Sequence, residues 1–153
     1  MALSAFRGGS STHFRCKPHA AAALTEINIK RLKATPQNGG DRRSWPAELV
    51  LRCHKECLNG HTDVYGRMAW NEPAPTLTGR CHSISNGRYG HPEQDRAISL
   101  REAASLQTFD DSYVFYGSNK HVAQQIGNAV PVKLGEVLGR HILTLADGHM
   151  RRS

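Results

Sequence analysis

The apolar positions near the end of the chain recur with a helical period, whereas those in its middle do not. From Val130 onward they fall at Val130, Leu134, Val137, Leu138, Ile142 and Leu145, the spacing of one helix face. Pro131 suits the first turn of that helix, where a missing N–H costs nothing. Gly135 and Gly139 lie one turn apart and would let a neighbour approach closely, while Lys133, Glu136 and Arg140 exclude a membrane-spanning version. Just upstream, "SNKHVAQQIG" predicts a helix that Ser118 caps and Gly127 stops, with Val122 and Ile126 one turn apart. "ISLREAASLQ" predicts another. Ser99 and Glu102 have the capping-box spacing, and Ile98 is placed to pack on Ala103 as a hydrophobic staple.

The first two-thirds read differently. Leu24 to Lys33 fits a short helix capped by Thr25, with Leu24, Ile27, Arg31 and Ala34 on one face, and "TPQNGGDRR" supplies the turn that ends it. From Trp45 to Arg88 the pattern is irregular. "DVYGRMAW" and "APTLTGR" predict short strands around the Asn71-Glu72-Pro73 turn. Residues 1–20, rich in Ser, Gly and basic side chains, read as a flexible leader. The expected organisation is a mixed α/β chain: leader 1–20, a small, irregular, mostly-β region over 21–97, helices over 98–146 and a tail over 147–153.

Composition narrows this picture modestly. The 153 residues suffice for about one domain. The formal charge of +7, from 20 Lys and Arg against 13 Asp and Glu, suits a polyanionic partner without requiring one. No apolar run is long enough to cross a membrane, and the N-terminus lacks the order of a signal peptide. The four cysteines, Cys16, Cys53, Cys57 and Cys81, are therefore expected to be reduced, in a cytoplasm.

Candidate chemistry is sparse. "RCHKECLNGH" offers Cys53, His54, Cys57 and His61, with Cys81 and His82 further on, but the spacing matches no common zinc module, and no metal site is expected. In the loop 83–95, Gly87 and Gly90 would let the backbone approach a partner while Arg88 reaches out, and an arginine can grip a guanine edge with two hydrogen bonds. No nucleophile has a base beside it in sequence. Capping accounts for Glu102, and His91 and His121 read as loop and helix-surface residues.

The stretch from "PAPTLTGRCHSISNGRYGHPEQDRAISLREAASLQTF" to "QIGNAVPVKLGEVLG" resembles the C-terminal end of bacterial DNA cytosine-5 methyltransferases. "ISLREAASLQTF" looks like the family's ninth motif and "QIGNAVP" like its tenth, while the preceding stretch falls where the family keeps its target-recognition region. "LTEINIKRLKATPQNGGDRRSWPAEL" looks like a segment that precedes that region in some members, so the resemblance covers roughly Leu24 to Ile142. It implies that the C-terminal helices would complete an S-adenosylmethionine-dependent methyltransferase fold, with residues 21–97 as the target-recognition region. Carried over, Asn128 and Ala129 would face S-adenosylmethionine, and Gly127 would allow a tight approach there. Thr76 and Leu77 match the Thr-Leu pair that begins the family's recognition element, where the Thr lies against the DNA backbone near the target base; with Arg88, taken from the loop 83–95 alone, they are the DNA-binding candidates, and double-stranded DNA is the implied partner.

The departures are as informative. No cysteine follows a proline, as the family's nucleophile does, and no Glu-Asn-Val motif, glycine-rich first motif or paired arginines of the eighth motif are present. Asp110 stands where the family usually has proline after Phe109. No residue is therefore assigned as catalytic. The implied function is the C-terminal part of a DNA (cytosine-5-)-methyltransferase of restriction-modification type, inactive alone: either a truncated gene product or one subunit of a split enzyme whose partner, a separate chain, carries the catalytic motifs. The alternative is a non-catalytic DNA-binding remnant or recognition subunit.

Overall fold

The computed structural model describes residues 21–55 and 63–150. The leader 1–20 with Cys16, the candidate ligands Cys57 and His61, and the last three residues of the tail lie outside the described residues. Among the described residues five α-helices form: α1 (Glu26–Ala34), α2 (Arg52–Lys55), α3 (Leu100–Leu106), α4 (Asn119–Asn128) and α5 (Val132–Met150). Short 3-10 turns at Arg42–Ser44 and Ile84–Asn86 punctuate the loops between them.

The mostly-β reading of residues 21–97 does not hold. Among the described residues no strand forms, and sheet-like pairing is confined to single bridges, Arg67 with Gly90 in parallel and Gly90 with Ala97 antiparallel. The sequence shows why. Tyr65 sits at φ 63°, which breaks an extended run through "DVYGRMAW". Its amide donates to the Ile84 carbonyl at 2.7 Å, while the Gly66 amide closes a turn on Asp63 O. Pro73 and Pro75 carry no N–H to donate, and "TLTGRC" ends in a turn, Cys81 N to Thr78 O at 2.9 Å. The apolar residues there serve a loop-rich core.

That core comes in two clusters. One joins α3 and α4 to the middle loops through Met68, Leu77, Cys81, Tyr89, Ile98, Leu100, Phe115, Val122 and Ile126. The other packs Leu32 of α1 against Trp45, Tyr65, Ile84 and Ala97. Helix α1 thus buries Leu32, while Ile27, expected on the inward face, is exposed. Thr25 is its N-cap residue, but the side chain makes no capping bond.

Arg67 binds these loops together. Its side chain is 1 % exposed, and every guanidinium N–H finds an acceptor. Nε donates to Thr35 O at 3.1 Å, Nη1 to His91 O at 2.9 Å and Gln94 O at 2.7 Å, and Nη2 to Leu32 O at 2.8 Å and to the Asp95 carboxylate. Two of these acceptors lie at the end of α1, where backbone carbonyls otherwise lack partners and a cation is favoured. His91, expected as an ordinary loop residue, is buried in the same knot, its Nδ1 accepting the amides of Glu93 and Gln94 at 3.1 Å each. Burial, then the Arg96 charge, holds its pKa below the usual histidine value.

The capping box at α3 forms as expected: Glu102 N donates to Ser99 Oγ at 3.2 Å, and Ser99 N donates to Glu102 Oε2 at 2.7 Å. Arg96 adds a two-pronged ion pair to the same carboxylate, at 2.7 and 2.8 Å. Burial alone would raise the Glu102 pKa, but Arg96 and the Ser99 amide outweigh it and bring it from 4.5 down to about 2.

Two outcomes follow for stability. Replacing Arg67 by Met leaves buried carbonyls without donors and should cost roughly 3–5 kcal/mol in urea unfolding. Lysine should not rescue it, because an ammonium lacks the planar fork. The depressed Glu102 pKa stabilises the folded state fully above the unfolded value of 4.5 and loses that stabilisation as pH falls toward about 2. Between those limits, the stability of Glu102→Gln should depend less steeply on pH than that of the unaltered chain, as acid titrations monitored by circular dichroism would show.

Candidate functional site

The segment "QIGNAVP" joins α4 to α5, and its geometry is set by the residues that end α3. Helix α4 begins as expected, with Ser118 Oγ accepting from His121 N, and buries Val122, Ala123 and Ile126. It does not stop at Gly127. The helix continues through Asn128, and Ala129 is its C-cap in an extended conformation. Gln107, the C-cap residue of α3, lies buried beneath this turn. Its Nε2 donates to Ile126 O at 3.0 Å and to Ala129 O at 3.1 Å, satisfying carbonyls at the open end of α4. The Gln107 carbonyl accepts from Val132 N at 3.1 Å, and Thr108 Oγ1 accepts from Lys133 N at 2.9 Å. The two residues therefore hold both sides of the junction. Asn128 is left exposed and Ala129 half-buried on the surface of that turn.

Gly127 has a role other than the C-cap expected of it. A Cβ there would lie 2.1 Å from the Thr78 carbonyl carbon and 2.4 Å from Gly79 N. The backbone of "TLTG" thus crosses α4 in direct contact, and only a hydrogen fits between. Gly79 completes the approach, since a Cβ on it would meet the Gln124 side chain at 3.3 Å. The DNA-binding candidates sit on this loop and beside it. Thr76 is exposed, and its carbonyl accepts from the Tyr89 hydroxyl at 2.9 Å. Leu77 points inward and belongs to the larger core cluster. Arg88 is half-buried, donating to Gly39 O and to the exposed Asp63 carboxylate, each at 3.1 Å. Between them, Ser83, Ser85 and Asn86 form a small exposed hydrogen-bonded group on a 3-10 turn.

Reactive groups are not gathered at this surface. Cys81 is fully buried, and burial pushes its thiol up to about 11, leaving it protonated at neutral pH. Burial and then the Arg80 charge lower the pKa of His82. Among the described residues no three His, Cys, Asp or Glu side chains stand close enough to hold a metal ion.

Helix α5 leaves the junction with its apolar side uncovered. Val132, Leu134, Val137, Leu138, Ile142, Leu143 and Leu145 are 47–65 % exposed, and beyond the adjoining residues and local helix backbone nothing described comes within 4 Å of a Cβ placed on Gly135 or Gly139. Among the described residues no helix is long and apolar enough to cross a membrane.

Sequence reasoning missed Gln107 and Thr108. A polar residue at the end of a predicted helix was the available signal for Gln107. Thr108 adopts φ 59°, a conformation that a β-branched residue rarely takes and that its identity does not announce.

The model of the C-5 cytosine-specific DNA methylase family matches residues 10–144. The Type II methylase M.HgiDII of Herpetosiphon aurantiacus is 50% identical over 135 residues, covering 85% of this chain and 38% of that protein. DNA (cytosine-5)-methyltransferase 3 of Arabidopsis thaliana is 36% identical over 139 residues, covering 81% of this chain and 10% of its own length. Type II methyltransferase M.Eco47II of Escherichia coli is 41% identical over 88 residues. The chain belongs to the C-5 cytosine-specific DNA methylase family, and it spans well under half the length of these relatives.

The contact between Gly127 and Thr78 can be tested directly. Gly127→Ala forces backbone against backbone, which no rotamer change relieves, so it should destabilise the chain by roughly 1–3 kcal/mol, the usual cost of overpacking. Gly135→Ala, in open surroundings, should instead stabilise α5 by about 0.5–1 kcal/mol. Equal melting temperatures for the two variants would contradict this assignment.

Proposed function

We propose that these residues supply the target-recognition region and the closing motifs of a DNA (cytosine-5-)-methyltransferase of restriction-modification type, acting with a separate portion that carries the nucleophile. The observation that carries this reading is the junction itself. The "TLTG" loop and the "QIGNAVP" turn are packed backbone to backbone at Gly127, so one rigid unit presents both a DNA-facing and a cofactor-facing surface. Residues 21–97 form the recognition region and residues 98–146 the closing helices.

On the DNA side, Thr76 meets the sugar-phosphate backbone, with Leu77 anchoring the loop from the core. Arg88 reads a base after exchanging Asp63, an exposed partner, for a guanine edge. On the cofactor side, Asn128 offers amide donors and an acceptor from an exposed position, and Ala129 is small enough for close approach. S-adenosylmethionine supplies the electrophilic methyl group when bound, and this turn fits it as one wall of a pocket.

The chain by itself does not methylate. None of its cysteines follows a proline, and Cys81 is sealed in the core with its thiol raised to about 11. The test combines the purified chain with the portion of M.HgiDII that it does not match, labelled S-adenosylmethionine and long duplex DNA. Labelled 5-methylcytosine is expected from the mixture and from neither part alone. Methylation by the chain alone would overturn its inactivity. A silent mixture, beside an active control in which M.HgiDII is divided at the same point and recombined, would overturn the split.

A further inference from the structure

Helix α3 ends beneath the α4–α5 turn, and the two residues after it touch that turn from below. Gln107 is buried, and its side-chain amide spends both hydrogens on Ile126 O and Ala129 O, which flank Gly127 and Asn128. Its own carbonyl receives Val132 N, and Thr108 Oγ1 receives Lys133 N. Bonds of this kind fix a peptide plane as well as a distance. With Ala129 O and Val132 N both tied to residue 107, the segment between them cannot swing without breaking hydrogen bonds. Thr108 holds a positive φ while making its bond to α5, so the chain keeps an uncommon conformation at the point where the clamp closes.

We propose that Gln107, with Thr108, is a positioning residue for the methyl donor: it sets the orientation of the Asn128–Pro131 wall and so controls affinity for S-adenosylmethionine rather than the chemical step or DNA binding. This rests on the function proposed above. Gln107 touches neither cofactor nor DNA. It acts through the backbone of the turn, and preorganising that turn lessens the ordering needed when the cofactor binds.

The first readout needs no enzyme activity. In Gln107→Met, which keeps the shape and removes the donors, the Val132 and Lys133 amides should exchange with deuterium about tenfold faster, the effect of losing on the order of one buried hydrogen bond. The Ala103 and Val122 amides, in α3 and α4, should be unchanged, showing that the fold stands. If they also quicken, Gln107→Met has unfolded the domain, and Thr108→Val, which removes only the acceptor for Lys133 N, decides instead. Unaltered exchange at Val132 and Lys133 in a folded variant overturns the clamp.

The second readout uses the active mixture with the M.HgiDII portion. Gln107→Met should raise KM for S-adenosylmethionine about tenfold, with kcat and KM for DNA changing less than about threefold. A fall in kcat with KM for S-adenosylmethionine unchanged overturns the positioning role. An inactive mixture with the unaltered chain would strike the proposed function itself. An active one in which Gln107→Met behaves like the unaltered chain strikes only the role of Gln107.

Discussion

The loops of this protein are organised around one buried cation. A chain segment without sheet ladders must find partners for its backbone carbonyls elsewhere. Here a single guanidinium supplies them to residues 32 and 35 and to residues 91 and 94, two stretches far apart in sequence. A buried charge needs compensation, and the Asp95 carboxylate provides it from a partly exposed position. That arrangement explains how a region with almost no regular structure holds a fixed shape. Arg67 also sits at the bridge to Gly90, and the Ile98 amide donates to Tyr89 O at 2.9 Å. The knot is thereby tied to the residues that lead into α3.

Helices α3 and α4 were legible in the sequence because each carries local signals that mark its start. Ser99 with Glu102, and Ser118 ahead of Val122 and Ile126, announce their starts through side-chain chemistry that needs no distant partner. Residues 21–97 do not meet the same criterion. Their alternation of apolar and polar residues suggested strands, but Tyr65 at positive φ, the paired prolines and Arg67 all answer to tertiary contacts. Arg67 is one of 20 Lys and Arg residues in a +7 chain. Nothing local marks an arginine that will be buried. At Gly127 the local signal points elsewhere, because a glycine after a helical run usually marks a left-handed cap. Here the requirement is a neighbour's backbone, which only the folded chain displays. Of the site candidates, Asn128 and Thr76 are exposed as a binding surface needs, Leu77 faces the core, and Arg88 is already partnered.

Packing "TLTG" on α4 has a mechanical consequence. The "TLTG" loop and the "QIGNAVP" turn share the Gly127–Thr78 contact, where there is no side chain to absorb movement. Displacing one therefore displaces the other, and interiors packed this closely transmit strain rather than dissipate it. The Tyr89 hydroxyl, bonded to Thr76 O and lying within 3.4 Å of Thr78 Oγ1, braces the loop from the opposite side.

Helix α5 shows the limit of what these residues stabilise by themselves. A 19-residue helix is long enough to form, but helices in proteins draw most of their stability from burying an apolar face. Here the anchoring lies at the first turn, through Gln107 and Thr108, while the face from Val132 to Leu145 remains open. Each of those side chains contributes about 1.5–3 kcal/mol when fully buried, so covering the face is worth on the order of 10 kcal/mol, comparable with the stability of a whole domain. The charged residues share the helix without closing that face: Arg140 pairs with Glu136 one turn away. The helix is therefore held in direction at one end and left with a large unrealised burial energy along its length. Association that covers it can be strong without any rearrangement of the junction, and the turn carrying Asn128 and Ala129 can enter such a complex already shaped.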